Sequence, residues 1–263
     1  MSSHSLDRRH FLAVALALVV APGRLLAAQP AIRRGPYAVD IGLLYSMLTF
    51  RLEGSFEEQV DRAAGRYTVH STGQGDRIRS RIESRGGLRD GRWAPERAVS
   101  DFEIYGRPSR TEVAFDYQRR SVEYHARGET FLMRRLRVVD DVLTMPDGLH
   151  VDDAISALLN YRDGRWSPDA QGRLRTHIVR RRHSDNEGPD DIARTYRAEF
   201  APLDLTMAPD SEARKPAALL DLSRFSSWAR SSKPARIVFD EDRQPRLITG
   251  PMILGSSVSI RLG

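Results

Sequence analysis

Arg77-Ile78-Arg79-Ser80-Arg81-Ile82-Glu83-Ser84-Arg85 is the stretch that decides the fold of this 263-residue chain. Isoleucine and serine occupy its even-numbered positions, and arginine and one glutamate occupy its odd-numbered positions. Successive side chains of a β-strand point to opposite faces of its sheet, so this alternation predicts a strand with one buried and one exposed face. A second segment, Thr111–Tyr117, repeats the pattern with Val113, Phe115 and Tyr117 on one side.

Similar segments, separated by Gly, Pro, Asp and Asn, predict strands over most of the chain after residue 36. They include Tyr37–Glu53, Arg66–Gly73, Ser121–Arg127, Phe131–Val138, Leu174–Arg182, Ile192–Phe200, Arg236–Phe239 and Val258–Leu262. Closely spaced strands of this kind pair with antiparallel neighbours. We therefore predict a mainly β protein, built on a largely antiparallel, strongly curved sheet or open barrel.

One or two helices are expected to pack against this sheet. Val151, Ile155, Leu158 and Leu159 are spaced as one stripe of a helix. Asp152 or Asp153 can cap its start, and Gly164 follows its end. A second helix is predicted from Pro216, with a looser apolar stripe that comprises Leu219, Leu222, Phe225 and Trp228.

The first 28 residues have the pattern of an export signal. Arg8 and Arg9 precede Phe11 and Leu12, which open an apolar run that ends before Pro22. This order is similar to the twin-arginine pattern, although an ordinary secretory signal remains the alternative. The run is about half of the roughly 20 residues that a membrane-spanning helix needs. We expect the twin-arginine export machinery to be a partner of the signal, cleavage after Ala28, a periplasmic mature chain, and no transmembrane segment in it.

Three regions follow from these patterns. Residues 1–28 form the export signal, residues 29–36 form a polar lead-in, and residues 37–263 form a single β-rich domain.

Composition excludes several kinds of chemistry. The chain has no cysteine, which rules out disulfides, Fe–S clusters and thiol catalysis. The signal holds three of the 41 basic and one of the 35 acidic side chains, so the mature chain keeps a mild positive charge. That charge is too small to indicate a nucleic-acid partner. No histidine pair has a metal-binding spacing, and no motif indicates a cofactor.

Three segments resemble the domain-of-unknown-function 3108 family of exported bacterial proteins. Gly65, Tyr67 and Val69 match a Gly-x-Tyr-x-Val pattern in its opening strands. Residues 153–162 resemble its helix, except that Asn160 stands where the family prefers an aromatic residue, and residues 236–245 resemble its closing strand and turn. The resemblance implies a periplasmic protein with an open barrel like that of lipoprotein carriers, and it implies no reaction.

The first functional hypothesis is a non-enzymatic envelope protein that binds an apolar or lipid-like ligand on the concave face of its sheet. The side chains expected to line that face share the inward positions of two neighbouring strands: Phe102, Ile104, Val113, Phe115 and Tyr117.

Two alternatives belong to other classes. A structural or partner-binding module of the envelope would act through edge strands or through the basic face of Arg77, Arg79, Arg81 and Arg85. An enzyme, the less favoured alternative, would need a cleft that contains a cluster of titratable side chains. The candidates for it are His150, Asp152, Asp153 and a second histidine.

Overall fold

The computed structural model describes residues 30–43, 48–130, 133–182, 191–209, 215–223, 225, 233–252 and 256–263, which form 15 strands and one helix. The first eight strands are β1 (Ala31–Leu43), β2 (Leu48–Asp61), β3 (Arg66–Gly75), β4 (Ile78–Arg89), β5 (Arg92–Ile104), β6 (Arg107–Asp116), β7 (Ser121–Glu129) and β8 (Leu136–Thr144). A short strand β9 (Val151–Asp152) leads into helix α1 (Ala154–Arg162). The last six strands are β10 (Arg173–Arg181), β11 (Ala198–Pro209), β12 (Pro216–Leu220), β13 (Ala235–Phe239), β14 (Pro245–Pro251) and β15 (Ser257–Leu262).

All these strands belong to one large sheet. From one edge to the other it runs from β8 down to β1, then from β15 down to β9. Its pairs are antiparallel except for β9 with β10. Among the described residues these strands do not close into a barrel, so the prediction of a mainly β, largely antiparallel open sheet is confirmed.

The alternation that opened the sequence analysis is visible in β4. Ile78, Ser80, Ile82 and Ser84 are buried, whereas the arginines between them are exposed. The buried apolar side chains of the chain form two clusters. The larger one joins β1–β5, helix α1 and the strands after it, and the smaller one joins β6–β8 with β9 and Ala198.

Helix α1 forms where it was predicted. Asp153 is its N-cap, and its side chain accepts a hydrogen bond from the backbone N–H of Ser156. The Ser156 side chain in turn accepts from the backbone N–H of Asp153, which completes a capping box. Gly164, two residues after the helix, has a φ of 67°, a left-handed conformation that glycine adopts without strain.

The predicted second helix is wrong in the residues that the structure describes, because Pro216–Leu220 forms strand β12. Ala217 pairs with Ala208 on β11 and with Val238 on β13, so the segment lies inside the sheet. A short apolar run fits a buried strand as well as a helix, and the two flanking strands decide between them. Leu222 and Phe225 are buried beyond the strand, and Trp228 lies outside the described residues.

A β-bulge between β4 and β5 positions the start of β5, against which α1 packs. The register shifts after Arg85, so that Gly86 lies opposite Pro95. A Cβ on Gly86 would collide with the carbonyl oxygen of Ala94, and this close approach therefore requires glycine. The bulge turns Trp93 into the core, where it is 1% exposed.

The edge strand β8 comes close to β11 without forming a ladder with it. The Asp141 carboxylate on β8 accepts a hydrogen bond from the backbone N–H of Ala198 at 2.9 Å. Arg197 Nη1 donates to the same carboxylate at 3.1 Å. Side chains, rather than paired backbones, therefore connect these two strands.

The beginning of the chain differs from expectation in one respect. Strand β1 starts at Ala31, so most of the predicted lead-in at 29–36 pairs with β2 as part of the sheet. The export-signal residues, from Arg8 to the cleavage position after Ala28, lie outside the described residues. Helix α1, at nine residues, is too short to cross a membrane, and the described part of the chain holds no longer apolar helix.

Candidate functional site

A groove of about 480 Å³ crosses four neighbouring strands, β3 to β6. The register of these strands places its lining residues side by side. Ser80 on β4 lies opposite Gly73 and Phe102, and Phe102 lies opposite Ser109 on β6. Three of these four residues are glycine or serine, and their small size leaves space next to Phe102. Small-molecule pockets have volumes of roughly 300–1,000 Å³, so this groove is the candidate binding site.

Charged residues next to these in sequence also border the groove, but their side chains lie on the opposite, exposed face of the strands. They are Arg79, Arg81, Arg110, Asp101 and Glu103. Arg79 Nη2 donates to Glu103 Oε1 at 2.9 Å, and Arg110 Nη1 donates to Asp101 Oδ1 at 2.8 Å. The side chains of Arg79 and Arg110 are 65% and 52% exposed, so these pairs contribute little to stability. Their effect is to hold these guanidinium groups on the exposed face of the sheet.

The five side chains predicted to bind ligand are not brought together. Phe102 and Ile104 both belong to the larger cluster, at 4% and 0% exposed, and Phe102 also borders the groove. Val113 and Phe115 belong to the smaller cluster, and Tyr117 packs against it. The inward direction predicted for these side chains is correct, but most of them fill the core, and Phe102 alone of the five reaches the groove.

A buried polar cluster lies where α1 meets the sheet, with Asp152 at its centre. The Asp152 side chain is fully buried. Its Oδ1 accepts hydrogen bonds from Ser156 Oγ at 2.8 Å and from Asn160 Nδ2 at 2.9 Å. Its Oδ2 accepts from the hydroxyl of Thr176 on β10, and His150 Nε2 lies 3.1 Å from Oδ1. Both carboxylate oxygens therefore have donors from the chain itself, as a buried carboxylate requires.

Asp153 extends this cluster towards β3 and β4. Its carboxylate accepts from the backbone N–H of Ser156 at 2.6 Å and from the hydroxyl of Ser84. Ser84 Oγ lies 3.1 Å from the hydroxyl of Tyr67. The hydrogen-bond chain from β3 to α1 fixes where the helix starts on the sheet.

Asn160 docks α1 against the bulge of β5. Its Oδ1 accepts from the backbone N–H of Trp93 at 2.8 Å, and its Nδ2 donates to the Trp93 carbonyl at 2.7 Å. The side-chain amide thus pairs with a backbone peptide as a neighbouring strand would. No sequence pattern predicted this contact, although Asn160 departs from the aromatic residue at the same place in the family that this segment resembles.

The geometry at the proposed catalytic cluster favours a structural role. His150 contacts Asp152, and His177 pairs with Val151 in the β9–β10 register. The carboxylate of Asp153, however, hydrogen-bonds to Ser84 and Ser156. Asp152 has no exposed surface on which a substrate could bind. Among the described residues, no group of three or more histidines and carboxylates could hold a metal ion.

Burial makes Asp153 a source of pH-dependent stability. Burial raises its pKa from an ordinary value of 3.8 to about 6, against the opposing effect of the hydrogen bonds from Ser84 and Ser156. Between these two pH values the folded chain binds more protons than the unfolded chain, so stability falls as the pH rises. The Asp153→Asn variant keeps the cap acceptor and removes the charge. We expect the free energy of unfolding of this variant to rise, relative to that of the parent, by up to about 3 kcal/mol between pH 4 and pH 7.

Urea unfolding of both proteins across this pH range measures that difference. Asp153→Ala is the control for loss of the cap, and we expect it to be less stable than the Asn variant at every pH. If the difference in free energy of unfolding between the Asn variant and the parent did not change with pH, the burial of an ionised Asp153 would be contradicted.

Comparisons with known proteins do not place the chain in a family. No family model and no curated protein matches it. Among solved structures it is similar to the crystal structure of a β-barrel-like protein of domain of unknown function DUF1849 from Brucella abortus. The two share 10% sequence identity over 90% of this chain and 98% of the other, with a TM-score of 0.38.

Proposed function

We propose that this chain is an exported, non-enzymatic protein of the bacterial envelope that binds a lipid-like ligand in the groove across β3–β6. The observation that carries the proposal is the groove itself, which combines about 480 Å³ of space with Phe102 and small side chains. The twin-arginine pattern at Arg8 and Arg9 supports export. The Asp152 cluster supports the absence of catalysis, because hydrogen bonds within the chain already occupy its carboxylate.

Ligand binding is tested on protein purified from the periplasm without detergent, by organic extraction and mass spectrometry. We expect a co-purified amphiphile. Ser109→Trp should abolish it, because the indole would fill the groove between β5 and β6. Ser121→Trp is the matched control, since Ser121 is also partly buried but lies outside the lining. Extracts without any ligand, together with no binding of added amphiphiles, would reject the proposal.

Export is tested separately by replacing Arg8 and Arg9 with lysine. The twin-arginine receptor recognises the planar guanidinium pair, so an uncleaved precursor should accumulate in the cytoplasm. N-terminal sequencing of the wild-type periplasmic protein should find Gln29, or a residue within two positions of it, at the start. Normal export of the lysine variant would assign the protein to the general secretory route. A mature chain that retains Phe11 would contradict the periplasmic assignment.

The second candidate function is a partner-binding module, and strand β8 favours it. This strand forms one edge of the sheet, and its outward side chains Leu136, Val138 and Val142 are 49%, 47% and 65% exposed. An exposed apolar face of this kind can pack against another protein. Val138→Lys and Val142→Lys should weaken a reproducible crosslink to one protein in intact cells. Unchanged crosslinking would exclude this edge.

A further inference from the structure

We propose that the turn end of the β7–β8 hairpin docks the protein on the surface of a bilayer that contains anionic phospholipid. This inference goes beyond the proposed function, because it concerns where the protein is held in the envelope and not what it binds in the groove. The surface consists of Met133, Leu136 and Val138 together with Arg127 and Arg135. We call these five residues the hairpin tip.

The apolar part of the hairpin tip is exposed rather than packed. Met133, Leu136 and Val138 are 61%, 49% and 47% exposed. Leu136 and Val138 alternate with the buried residues Arg137 and Val139 along β8, so they share the outward face of the sheet. Met133 lies in the turn that leads into β8. Large apolar side chains exposed next to one another mark a surface that contacts a membrane or another protein.

Positive charge adjoins this apolar surface. Arg127 lies directly opposite Val138 in the β7–β8 register and is exposed on the same face. Arg135 is exposed at the base of the turn, where its backbone closes the hairpin through two hydrogen bonds with Thr130. Within the part of the chain that the structure describes, neither guanidinium group has a hydrogen bond or an ion pair. Both groups therefore keep all their donors for an anion outside the chain.

The charge of the hairpin changes sign along its length. Glu129, the acidic residue nearest the hairpin tip on β7, accepts a hydrogen bond from Arg134 Nε at 3.0 Å. Further from the turn, the side chains of Asp140 and Glu123 are 76% and 58% exposed. The turn end is therefore basic and the opposite end is acidic. An anionic surface attracts the turn end and repels the other, so charge complementarity limits the contact to the hairpin tip.

A phospholipid bilayer matches both parts of this surface. Apolar side chains of peripheral proteins insert at the boundary between headgroups and acyl chains, and basic side chains beside them contact the phosphates. The guanidinium groups of Arg127 and Arg135 have no acceptor in the described chain that fixes their direction. They can therefore adjust to the phosphates of a fluid bilayer, where no single arrangement of acceptors has to be matched.

Vesicle flotation with the full purified protein tests the proposal. One set of vesicles consists of phosphatidylcholine alone, and the other contains about one third phosphatidylglycerol. We expect tighter binding to the second set, by about fivefold for each of the two arginines and about 25-fold in total. This preference should weaken as the salt concentration rises.

Substitutions at exposed positions separate the two parts of the surface. Arg127→Gln should reduce the preference for phosphatidylglycerol by about fivefold. Leu136→Ser combined with Val138→Ser should weaken binding to the anionic vesicles by about tenfold or more, because less apolar surface leaves water. Val142→Ser is the matched control and should bind as the parent does. Val142 is 65% exposed on the same face of β8, but it lies opposite Glu123 at the acidic end.

Three outcomes would overturn the proposal. The first is equal binding to the two sets of vesicles, which would remove the role of the arginines. The second is a loss in Val142→Ser as large as that in the double variant, which would place the contact along the whole strand. The third is no binding to either set, together with a protein crosslink in cells that the changes at Val138 and Val142 weaken equally. That result would assign this face to a protein partner.

Discussion

Replacing Arg162 with methionine should lower the free energy of unfolding by about 3–5 kcal/mol, because it leaves a buried carboxylate without its main partner. The side chains of Arg162 and Glu58 are 8% and 3% exposed, and Arg162 Nη1 donates to Glu58 Oε1 at 2.7 Å. Burial raises the pKa of Glu58, and the charges of Arg162 and Arg33 oppose that rise. Chemical denaturation at neutral pH measures the loss.

A double variant separates the effect of the charge from that of the lost packing. Glu58→Leu combined with Arg162→Met removes both charges from the same buried volume, and we expect it to recover most of the lost stability. Arg34→Met is the matched control, since the Arg34–Glu57 pair lies next to Glu58 in sequence but is exposed. We expect no measurable change in the free energy of unfolding for that control, because water screens the exposed pair. A double variant as unstable as Arg162→Met would show that packing, rather than charge, dominates.

The second large effect is expected at Asn160. Asn160→Ala removes the acceptor for the Trp93 N–H, one donor to the Trp93 carbonyl and one donor to Asp152. Buried polar groups left without partners cost about 1–3 kcal/mol each. His150 still contacts the Trp93 carbonyl at 3.1 Å, so we expect a total loss of about 2–4 kcal/mol.

Asn160→Asp provides the comparison for this prediction. Aspartate keeps the acceptor for the Trp93 N–H but places a carboxylate against the Trp93 carbonyl and the Asp152 carboxylate. We therefore expect it to be less stable than the alanine variant at neutral pH and to recover part of the difference at low pH. Denaturation of both variants at pH 7 and pH 4.5 measures this order. An Asn160→Ala variant as stable as the parent would contradict the role assigned to the Asn160 amide.

The sequence predicted those parts of the fold that depend on local patterns. The alternation in residues 77–85 identified the buried face of β4, and the capping residues identified the start of α1. The spacing of Leu219, Leu222, Phe225 and Trp228 predicts a helix from Pro216, but a short apolar run fits a buried strand as well. Its pairing with β11 and β13 depends on residues distant in sequence, which no local pattern contains.

The candidate site was harder to predict for the same reason. The groove depends on the register of four strands, which brings Gly73, Ser80, Phe102 and Ser109 into one row. Inward-facing positions could be predicted, but alternation does not distinguish a residue that lines a groove from one that fills a core. Phe102 and Ile104 share an inward direction and both pack in the core, but only Phe102 of the two also borders the groove.

The position of a bound amphiphile tests the central claim most directly. A lysophospholipid with a photoreactive diazirine in its acyl chain is incubated with the mature protein, irradiated, and located by peptide mass spectrometry. The proposed function predicts labelling in peptides from β3 to β6, centred on Phe102 and reduced by Ser109→Trp but not by Ser121→Trp. Labelling confined to peptides outside residues 73–110, and unchanged by Ser109→Trp, would contradict it.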